Sequence, residues 1–384
     1  WENEGQRALA NNSVAYKGKP EMGTFMREWV SLYESKSGER GIFNRQAAQK
    51  QASLNGRRDA EQDFGCNPCS EIILRPYQFC NLSEVVVRAS DTQQTLTDKV
   101  RLATILGTFQ STLTDFKYLR NVWKKNTEEE RLLGVSLTGI MDNAMMSGKS
   151  AHLGNNIAAT LNALKEQAIT TNEVISLQLG IPQSAAITCV KPSGTVSQLV
   201  DSASGIHARH NPYYIRTVRG DNKDPITQFL VSEGIPAEPD VMKPDSTTVF
   251  SFPMKSPHGA VTRFDMTAIE QLELWLLYQR HWCEHKPSVT ISVKEDEWMD
   301  VGSWVYDHFD EVSGISFLPF SEHTYKQAPY QDIDEDTYYE LKEQMPTKVN
   351  WELLREFEKE DTTSGGRELA CTAGVCEIVD IAAA

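Results

Sequence analysis

No apolar run in this chain approaches the roughly 20 residues that a membrane-spanning helix needs. The first residues, WENEG, contain no initiator Met and no basic or apolar leader, which argues against a signal peptide and leads us to expect a missing N-terminal part. Basic residues are in deficit, 38 against 53 acidic ones, and the net charge of −15 argues against a nucleic-acid surface. Seven cysteines, an odd number, argue against a static disulfide framework and favour reduced thiols in the cytoplasm.

The composition is that of an ordinary globular protein, and 384 residues allow two or three domains or one large α/β barrel. Apolar periodicity and helix-end signals predict three helices: from Leu102 to Phe116, over residues 157–179 up to Gly180, and from the capping box of Thr267 and Glu270 onward. Three strand-like runs cover residues 185–190, 247–252 and 288–293. Strands that alternate with helices predict parallel strands in an α/β sheet or barrel.

Thiols and acids are concentrated in a short segment. Cys66, Asn67, Cys69 and Glu71 lie within six residues, and Cys80 follows eleven positions after Cys69. In an extended segment Asn67, Cys69 and Glu71 would face the same side, as two or more groups that act on one small substrate require. No His or Lys is adjacent to Cys69, so the neighbouring sequence does not favour a thiolate nucleophile, whereas a one-electron role needs no thiolate.

A second pair of thiols, Cys371 and Cys376, lies close to the end of the chain. Such a pair on a mobile tail is typical of a swinging reductant, and an ordinary exposed pair is the alternative. Cys66 and Cys69 could also be half a zinc site or a thioredoxin-like pair. Zinc would require a second ligand pair of similar spacing, and the tail pair has four intervening residues and no adjacent His.

Residues 67–71 (NPCSE) together with residues 79–82 (FCNL) resemble the finger-loop signature of ribonucleotide reductases. The surrounding sequence is most similar to the adenosylcobalamin-dependent (class II) branch, and within it to the monomeric ribonucleoside-triphosphate reductases. Similar segments extend over nearly the whole chain: residues 41–45 (GIFNR), 133–139 (LGVSLTG), 191–197 (KPSGTVS), 201–207 (DSASGIH) and 368–377. Each motif is weak alone, and their order and spacing together are specific.

The resemblance implies roles for the residues of the finger loop. Cys69 matches the cysteine whose thiyl radical abstracts the ribose 3′ hydrogen. Glu71 matches the carboxylate that takes the 3′-hydroxyl proton, and Asn67 matches the amide that helps to hold the sugar hydroxyls. Cys80 matches one of the two cysteines that supply electrons as the 2′-hydroxyl leaves as water.

The resemblance also bears on completeness and on partners. The partner of Cys80 belongs to the family's N-terminal half, so we expect this chain to be inactive alone. Cys371 and Cys376 match the tail dithiol that re-reduces the active-site pair and is itself reduced by thioredoxin or a similar dithiol. The family usually carries a non-thiol residue at the position of Cys66, and we expect Cys66 to be inert. An off-pathway disulfide with Cys69 is the alternative.

A phosphate-binding loop is the other candidate site. After the predicted strand at residues 185–190, small and hydroxyl residues form a loop that could present backbone N–H groups to an anion: Ser193, Gly194, Thr195, Val196 and Ser197. No Lys follows the Gly, so this is not a Walker A motif. The residues alone fit an ordinary capped connection equally well, and the resemblance implies that the loop holds the substrate phosphates.

Four other functions remain open. A dimeric class II enzyme would reduce diphosphates, and a class I large subunit would carry adjacent tyrosines near its C-terminus as a radical conduit. Neither Tyr338-Tyr339 nor Tyr213-Tyr214 has the context of that conduit. An inactive nucleotide-binding remnant is disfavoured by the intact thiols and acid. A zinc-binding structural protein would hold zinc tightly and ignore cobalamin.

The resemblance implies the C-terminal part of a ten-stranded α/β barrel of the ribonucleotide reductase and glycyl-radical type, with the finger loop inside it. We assign residues 1–320 to this barrel, 321–361 to a peripheral segment and 362–384 to a flexible redox tail. The expected function is reduction of ribonucleotides, with triphosphates preferred, by adenosylcobalamin-dependent thiyl chemistry. The expected protein is cytoplasmic, a monomer or homodimer, and has no nucleic-acid or membrane partner.

Overall fold

The computed structural model describes residues 12–36, 40–149, 156–320 and 325–359. Its strands are β1 (Ser13–Tyr16), β2 (Gly41–Asn44), β3 (Gly65–Cys66), β4 (Ile73–Leu74), β5 (Asn81–Val86), β6 (Leu133–Thr138), β7 (Thr188–Cys189), β8 (Tyr213–Asp221), β9 (Ala237–Pro239), β10 (Thr247–Lys255), β11 (Val289–Val293), β12 (Ile315–Pro319) and β13 (Tyr330–Asp332). Its helices are α1 (Met22–Ser35), α2 (Arg45–Ser53), α3 (Gln93–Gln110), α4 (Asn121–Glu130), α5 (Ile157–Leu179), α6 (Gly194–Leu199), α7 (Pro225–Ser232), α8 (Ala268–His281), α9 (Trp298–Asp307), α10 (Glu335–Gln344) and α11 (Leu354–Phe357).

The described residues form two compact units. The larger unit contains residues 12–209 and 257–320, and the smaller one contains residues 210–256 and 325–359. The smaller unit is therefore built from two stretches that are distant in sequence. One of its limits coincides with the expected boundary at residue 320, whereas the interruption at residues 210–256 has no counterpart in the sequence-based division. The functions assigned to residues 1–320, 321–361 and 362–384 stay predictions.

A chain of parallel strands forms the centre of the larger unit. β5, β6 and β7 pair in parallel, as do β11 with β12 and β1 with β2, while β12 and β2 run antiparallel. A parallel bridge between Val190 and Pro287 joins β7 to the segment before β11, since the Val190 N–H donates to the Lys286 carbonyl at 3.1 Å. The strand order is thus β5-β6-β7-β11-β12-β2-β1. The predicted α/β class is confirmed, and the ten-stranded barrel stays a prediction.

β6 is the middle strand of the three-stranded set β5-β6-β7. All six of its residues are buried, as expected for a parallel strand covered on both faces. Helices α3 and α5 pack on each other, and α3 covers β5 and β6. Gly107 lies on the buried face of α3, where a Cβ would be in ordinary van der Waals contact, 3.4 Å from the Ser83 Oγ and 3.6 Å from the Leu133 side chain.

The apolar residues that predicted α3 do not face this core. The helix ends at Gln110, and its apolar stripe is exposed, with Leu102, Leu106 and Phe109 more than half accessible. The buried face consists of smaller or more distant residues: Leu96, Val100, Thr104, Gly107 and Thr108. The predicted helix, from Leu102 to Phe116, overlaps α3 only from Leu102 to Gln110, and the face that packs against β5 and β6 is not the predicted apolar stripe.

Two other helices were predicted with accurate limits. α5 covers Ile157–Leu179 and ends at Gly180 in the left-handed conformation, as expected. α8 begins after Thr267, whose side chain and that of Glu270 form both bonds of the capping box. Of the three predicted strands, 247–252 and 288–293 correspond to β10 and β11, whereas the run 185–190 is strand only at β7.

The smaller unit is organised differently. Its sheet has the order β13-β8-β10-β9, and all of its pairings are antiparallel. The expectation of parallel strands is therefore wrong for β10. The reason is topological: β8 and β10 pair over their full lengths, with only α7 and the short β9 between them in sequence. α10 packs on both strands, and α7 packs against α11.

The close packing beside β6 can be tested at Gly139, the glycine that directly follows this strand. Gly139 has φ +80°, and a Cβ there would lie 2.3 Å from the Val87 carbonyl oxygen, while Gly180 has φ +67° and open space around it. Gly180→Ala should lower the free energy of unfolding by about 1–2 kcal/mol from backbone conformation alone. Gly139→Ala should cost about 1–3 kcal/mol more, because the backbone must also shift. Urea denaturation measures both, and equal losses would contradict the close packing at β6.

Candidate active site

A short hairpin presents the predicted catalytic residues. β3 and β4 pair antiparallel, with Cys66 opposite Ile73. The side-chain oxygen of Asn67 accepts from the Ile72 N–H at 3.0 Å, and the Asn67 carbonyl accepts from the Ser70 N–H at 2.9 Å. Ser70 is left-handed, with φ 65°. The expectation of an extended segment is therefore wrong: Cys69 and Glu71 lie in a tight turn that the Asn67 side chain closes.

Residues that precede β11 hold this hairpin in place. The Lys286 N–H donates to the Glu71 carbonyl at 3.0 Å, and the buried His285 ring accepts from the Ile73 N–H at 3.2 Å through Nδ1. The other ring nitrogen, Nε2, lies 2.9 Å from the Leu133 carbonyl on β6. An acceptor at Nδ1 requires the proton on Nε2, so one neutral imidazole connects the hairpin to the central strand. Burial lowers the pKa of His285 well below its usual range, which agrees with this neutral form.

Glu71 is fully buried, and its carboxylate meets a single lysine. Its Oε1 lies 3.5 Å from the Lys191 Nζ, while its Oε2 has no hydrogen-bond partner among the described residues. Burial disfavours the Lys191 ammonium, but the charges of Glu71 and Cys69 outweigh it and raise the pKa of Lys191. The site therefore holds an ion pair with one carboxylate oxygen left for another donor.

A second carboxylate, Glu84 on β5, belongs to the same cluster. Its Oε2 accepts from the Ser193 hydroxyl at 2.7 Å, and its buried Oε1 has no partner among the described residues. Burial raises the pKa of Glu84, and the negative charge of Glu71 acts in the same direction, while Ser193 and Lys191 oppose it. Lys191 contacts Glu71 and acts on Glu84 only through its charge, so two acidic side chains lie near one ammonium in this cluster.

The thiols of Cys69 and Cys80 face this acidic cluster. Burial raises the pKa of Cys69, the charge of Glu71 raises it further, and Lys191 opposes both. The same causes raise the pKa of Cys80 to about 12. Both groups therefore keep their S–H protons at neutral pH. The arrangement suits chemistry that removes a hydrogen atom from a thiol and is unsuited to a thiolate nucleophile.

The predicted phosphate loop divides into an exposed and a buried part. Gly194, Thr195 and Val196 are exposed in the first turn of α6, and Ser193 occupies the N-cap position without capping the helix. Its hydroxyl donates to Glu84 instead. Ser197 is buried, and its hydroxyl contacts the Gly194 carbonyl and the Ser204 Oγ. The backbone N–H groups of the exposed residues 194–196 could therefore donate to a bound anion, whereas the Ser197 hydroxyl is used in contacts within the protein.

Cys66 and the tail thiols complete the list of predicted residues. Cys66 is a free thiol 3.4 Å from the Ser70 Oγ, and Cys69 is free as well. Cys371 and Cys376 lie outside the described residues. The structure thus brings together Asn67, Cys69, Glu71 and Cys80 around the start of the phosphate loop. The inertness of Cys66 stays a prediction.

Four polar residues of the site were not predicted: Lys191, Glu84, Lys286 and the His285 already described. Lys191 is the first residue of the KPSGTVS segment, and the sequence analysis gives it no role. Its position directly after a predicted strand could have indicated a residue of the site. Glu84 lies on β5, where apolar and polar residues alternate. A charged residue in such a strand is normally predicted to face the solvent. Lys286 is fully buried with its Nζ 3.3 Å from the Ser313 Oγ, and burial lowers its pKa to about 8. No local pattern marked it.

Two further findings concern metal sites and membrane spans. Among the residues of the described ranges, no group of three or more His, Cys, Asp or Glu side chains is placed to hold a metal ion. Within the same ranges, none of the helices is sufficiently long and apolar to cross a membrane.

Three curated relatives carry the same name. The chain is similar to the adenosylcobalamin-dependent ribonucleoside-triphosphate reductases of Levilactobacillus brevis (29% identity, 86% of this chain, 47% of the relative), Euglena gracilis (29%, 79% and 41%) and Lactobacillus acidophilus (27%, 97% and 53%). The resemblance to adenosylcobalamin-dependent ribonucleotide reductases is confirmed. The chain spans about half the length of the curated relatives that it matches. No protein-family model matches it.

Solved structures support the fold. A B12-dependent (class II) ribonucleotide reductase matches with a TM-score of 0.71 and 23% identity, covering 92% of this chain and 52% of that one. The alpha subunit of a class Id ribonucleotide reductase from Actinobacillus ureae matches with a TM-score of 0.51 and 11% identity, over 77% of this chain and 61% of that one. At these identities the likeness concerns the fold alone.

The role of His285 can be tested through pH. The unfolded chain binds a proton at His285 near pH 6.5, whereas the folded chain does so only at lower pH, so the free energy of unfolding should fall below pH 6.5. His285→Ala should cost about 2–4 kcal/mol at pH 7.5, because it leaves a cavity and two unpaired backbone groups. The gap between variant and native chain should then narrow by up to about 1.4 kcal/mol per pH unit.

The exposed His258, whose replacement by Ala should change neither quantity, is the control. Denaturation curves for the three proteins between pH 5 and 8 supply the comparison. Parallel pH curves for the native chain and His285→Ala would show that His285 is not the neutral link between hairpin and β6.

Proposed function

We propose that the protein containing this chain reduces ribonucleotides to 2′-deoxyribonucleotides by a thiyl-radical mechanism that depends on adenosylcobalamin. The observation that carries the proposal is geometric: the free thiols of Cys69 and Cys80 lie near the fully buried Glu71 carboxylate, and their raised pKa values agree with a protonated S–H. A thiyl radical forms by loss of a hydrogen atom from S–H, so a high thiol pKa favours it. The names of the curated relatives support the same reaction.

The hairpin supplies the groups for the first steps. Cys69, as a thiyl radical, would take the 3′ hydrogen atom of the ribose and later return it. Glu71 would accept the 3′-hydroxyl proton through Oε2, the oxygen that Lys191 does not contact. Asn67 would contribute N–H donors to the sugar hydroxyls, because its side-chain oxygen already accepts from Ile72.

The reducing electrons would come from a pair of thiols. Cys80 and a second cysteine would give two hydrogen atoms, the 2′-hydroxyl would leave as water, and the pair would become a disulfide. Cys371 and Cys376 would then reduce that disulfide by exchange and be reduced in turn by thioredoxin or a similar dithiol. Such a relay is needed because an enclosed site that protects a radical also excludes a protein reductant.

The accessibility of Cys69 fits a bound radical source. Cys69 is half-buried at the hairpin tip, whereas Cys189 and Cys283 are fully buried and could not meet a cofactor. When bound, adenosylcobalamin supplies a carbon-centred radical able to remove the thiol hydrogen atom. Cys69 is the residue that the resemblance assigns to that contact.

The loop after β7 would bind the substrate phosphates. The exposed N–H groups of Gly194, Thr195 and Val196, with the Thr195 hydroxyl, would meet the phosphate oxygens at the start of α6. Ser193 would act through its backbone, since its hydroxyl donates to Glu84, and Ser197 would shape the loop from inside. The loop starts directly after Lys191, so it brings the phosphates close to Glu71.

The substrate and the cofactor can be tested in one assay of the full-length gene product. We expect reduction of CTP in preference to CDP with a dithiol reductant, and strict dependence on adenosylcobalamin. Preference for CDP would instead indicate the diphosphate-reducing class II alternative. Indifference to cobalamin would instead indicate a class I large subunit that awaits its radical-generating partner, or a nucleotide-binding remnant, and addition of a class I radical-generating subunit would separate these two.

The two thiol roles predict different losses in the full-length protein. Cys69→Ser should abolish turnover, because a hydroxyl hydrogen is too strongly bound to form the radical. Cys371→Ser should spare a single turnover, since the active-site pair begins reduced, and should block further cycles. Rapid-quench measurement of deoxynucleotide per enzyme separates the two cases. Equal loss in both variants would contradict this division of roles.

A further inference from the structure

We propose that Lys191 is a positioning residue, whose ammonium holds the Glu71 carboxylate by Oε1 and leaves Oε2 directed to the substrate. This inference rests on the proposed function and extends it by one residue. Its starting point is the unequal environment of the two carboxylate oxygens. Oε1 lies 3.5 Å from the Lys191 Nζ, and the buried Oε2 has no partner among the described residues. A buried carboxylate oxygen without a partner is costly, which points to a donor supplied by a ligand.

The backbone of Lys191 is held firmly enough for this role. Its N–H donates to the Ser136 Oγ on the buried strand β6 at 2.8 Å. Pro192 follows and restricts the backbone on both sides of the peptide bond. The Lys191 side chain is only one-third exposed, and Glu71 is fully buried. A lysine anchored in this way can orient a carboxylate at little further cost in side-chain entropy.

Among the described residues, Lys191 is the cation that forms an ion pair with Glu71. The groups that interact with Glu71 come from five segments: Cys69 in the turn, Cys80 and Glu84 at β5, Cys189 on β7, Lys191 after it, and Lys286 before β11. The Lys286 Nζ is directed instead to the Ser313 Oγ and the Phe43 ring. Removal of Lys191 would therefore leave the Glu71 carboxylate without a cation in hydrogen-bond range among the described residues.

The position of Lys191 also links the two halves of the site. It immediately precedes the proposed phosphate loop, while its side chain contacts the carboxylate on the hairpin. A nucleotide bound to the loop would meet a carboxylate already oriented by the same segment of chain. Binding of the substrate phosphates and orientation of the Glu71 carboxylate would thus both depend on the same short segment of backbone.

The test uses the thiol of Cys69 as a reporter of local charge. The Lys191 ammonium lowers the pKa of this thiol and the Glu71 charge raises it, so the two replacements should act in opposite directions. At pH 8.5, Lys191→Met should slow iodoacetamide alkylation of Cys69 by roughly three- to tenfold, and Glu71→Gln should accelerate it by a similar factor. Lys191→Arg should restore most of the native rate. Peptide mass spectrometry resolves Cys69 from Cys66.

Lys99→Met is the matched control, because it also removes a lysine that contacts a carboxylate, here Asp91, elsewhere in the same unit. It should leave the Cys69 rate unchanged, and an effect as large as that of Lys191→Met would overturn the proposal. A disrupted fold would expose the thiol and accelerate alkylation in every variant. In a Lys191→Met protein whose circular dichroism spectrum matches that of the native protein, acceleration or no change would overturn the proposal.

Turnover of the full-length protein provides the second measurement. Lys191→Met should reduce kcat by roughly 10- to 100-fold, and Lys191→Arg should recover part of that loss. Alkylation requires neither substrate nor cofactor. A failed alkylation test therefore overturns the role of Lys191 and leaves the reductase proposal standing, whereas a native protein with the expected alkylation rates and no turnover overturns the reductase proposal.

Discussion

The candidate site depends on one interaction, the neutral imidazole of His285 between the Ile73 N–H and the Leu133 carbonyl. A two-residue strand pair is too short to hold a catalytic turn by itself. The ring connects that hairpin to the most buried strand of the larger unit, and the adjacent Lys286 N–H adds a bond to Glu71. Together these two contacts hold the turn in place relative to Lys191 and Cys80. The pKa values of the two thiols therefore depend on how the core is packed.

Much of the larger unit could be predicted from sequence because its signals are local. The end of α5 at Gly180 and the start of α8 at Thr267 follow from conformations that a few neighbouring residues determine. The exposed apolar side of α3 could not be predicted, since the choice of face depends on the packing of the helix against β5, β6 and α5, and the local sequence does not encode that packing. The antiparallel partner of β10 is likewise a matter of topology, which the local sequence of that strand does not encode.

The residues of the candidate site also fall into two groups, those that could be predicted from the sequence and those that could not. Asn67, Cys69, Glu71 and Cys80 form a compact sequence pattern, and the structure brings them together, although through a turn and not through the extended segment expected. Lys191, Glu84 and His285 join them from segments far away in sequence. Their importance follows from burial beside an opposite or like charge, and a sequence without coordinates does not contain that information.

The raised pKa values of Cys69 and Cys80 also bear on chemical durability. Hydrogen peroxide and electrophilic metabolites attack thiolates, so cysteines that remain protonated at neutral pH are poor targets for sulfenic-acid formation and alkylation. The acidic surroundings of these thiols would therefore protect them from ionic damage in an aerobic or stressed cell. Under the proposed thiyl-radical chemistry, slow ionic oxidation would help Cys69 and Cys80 to stay intact between turnovers.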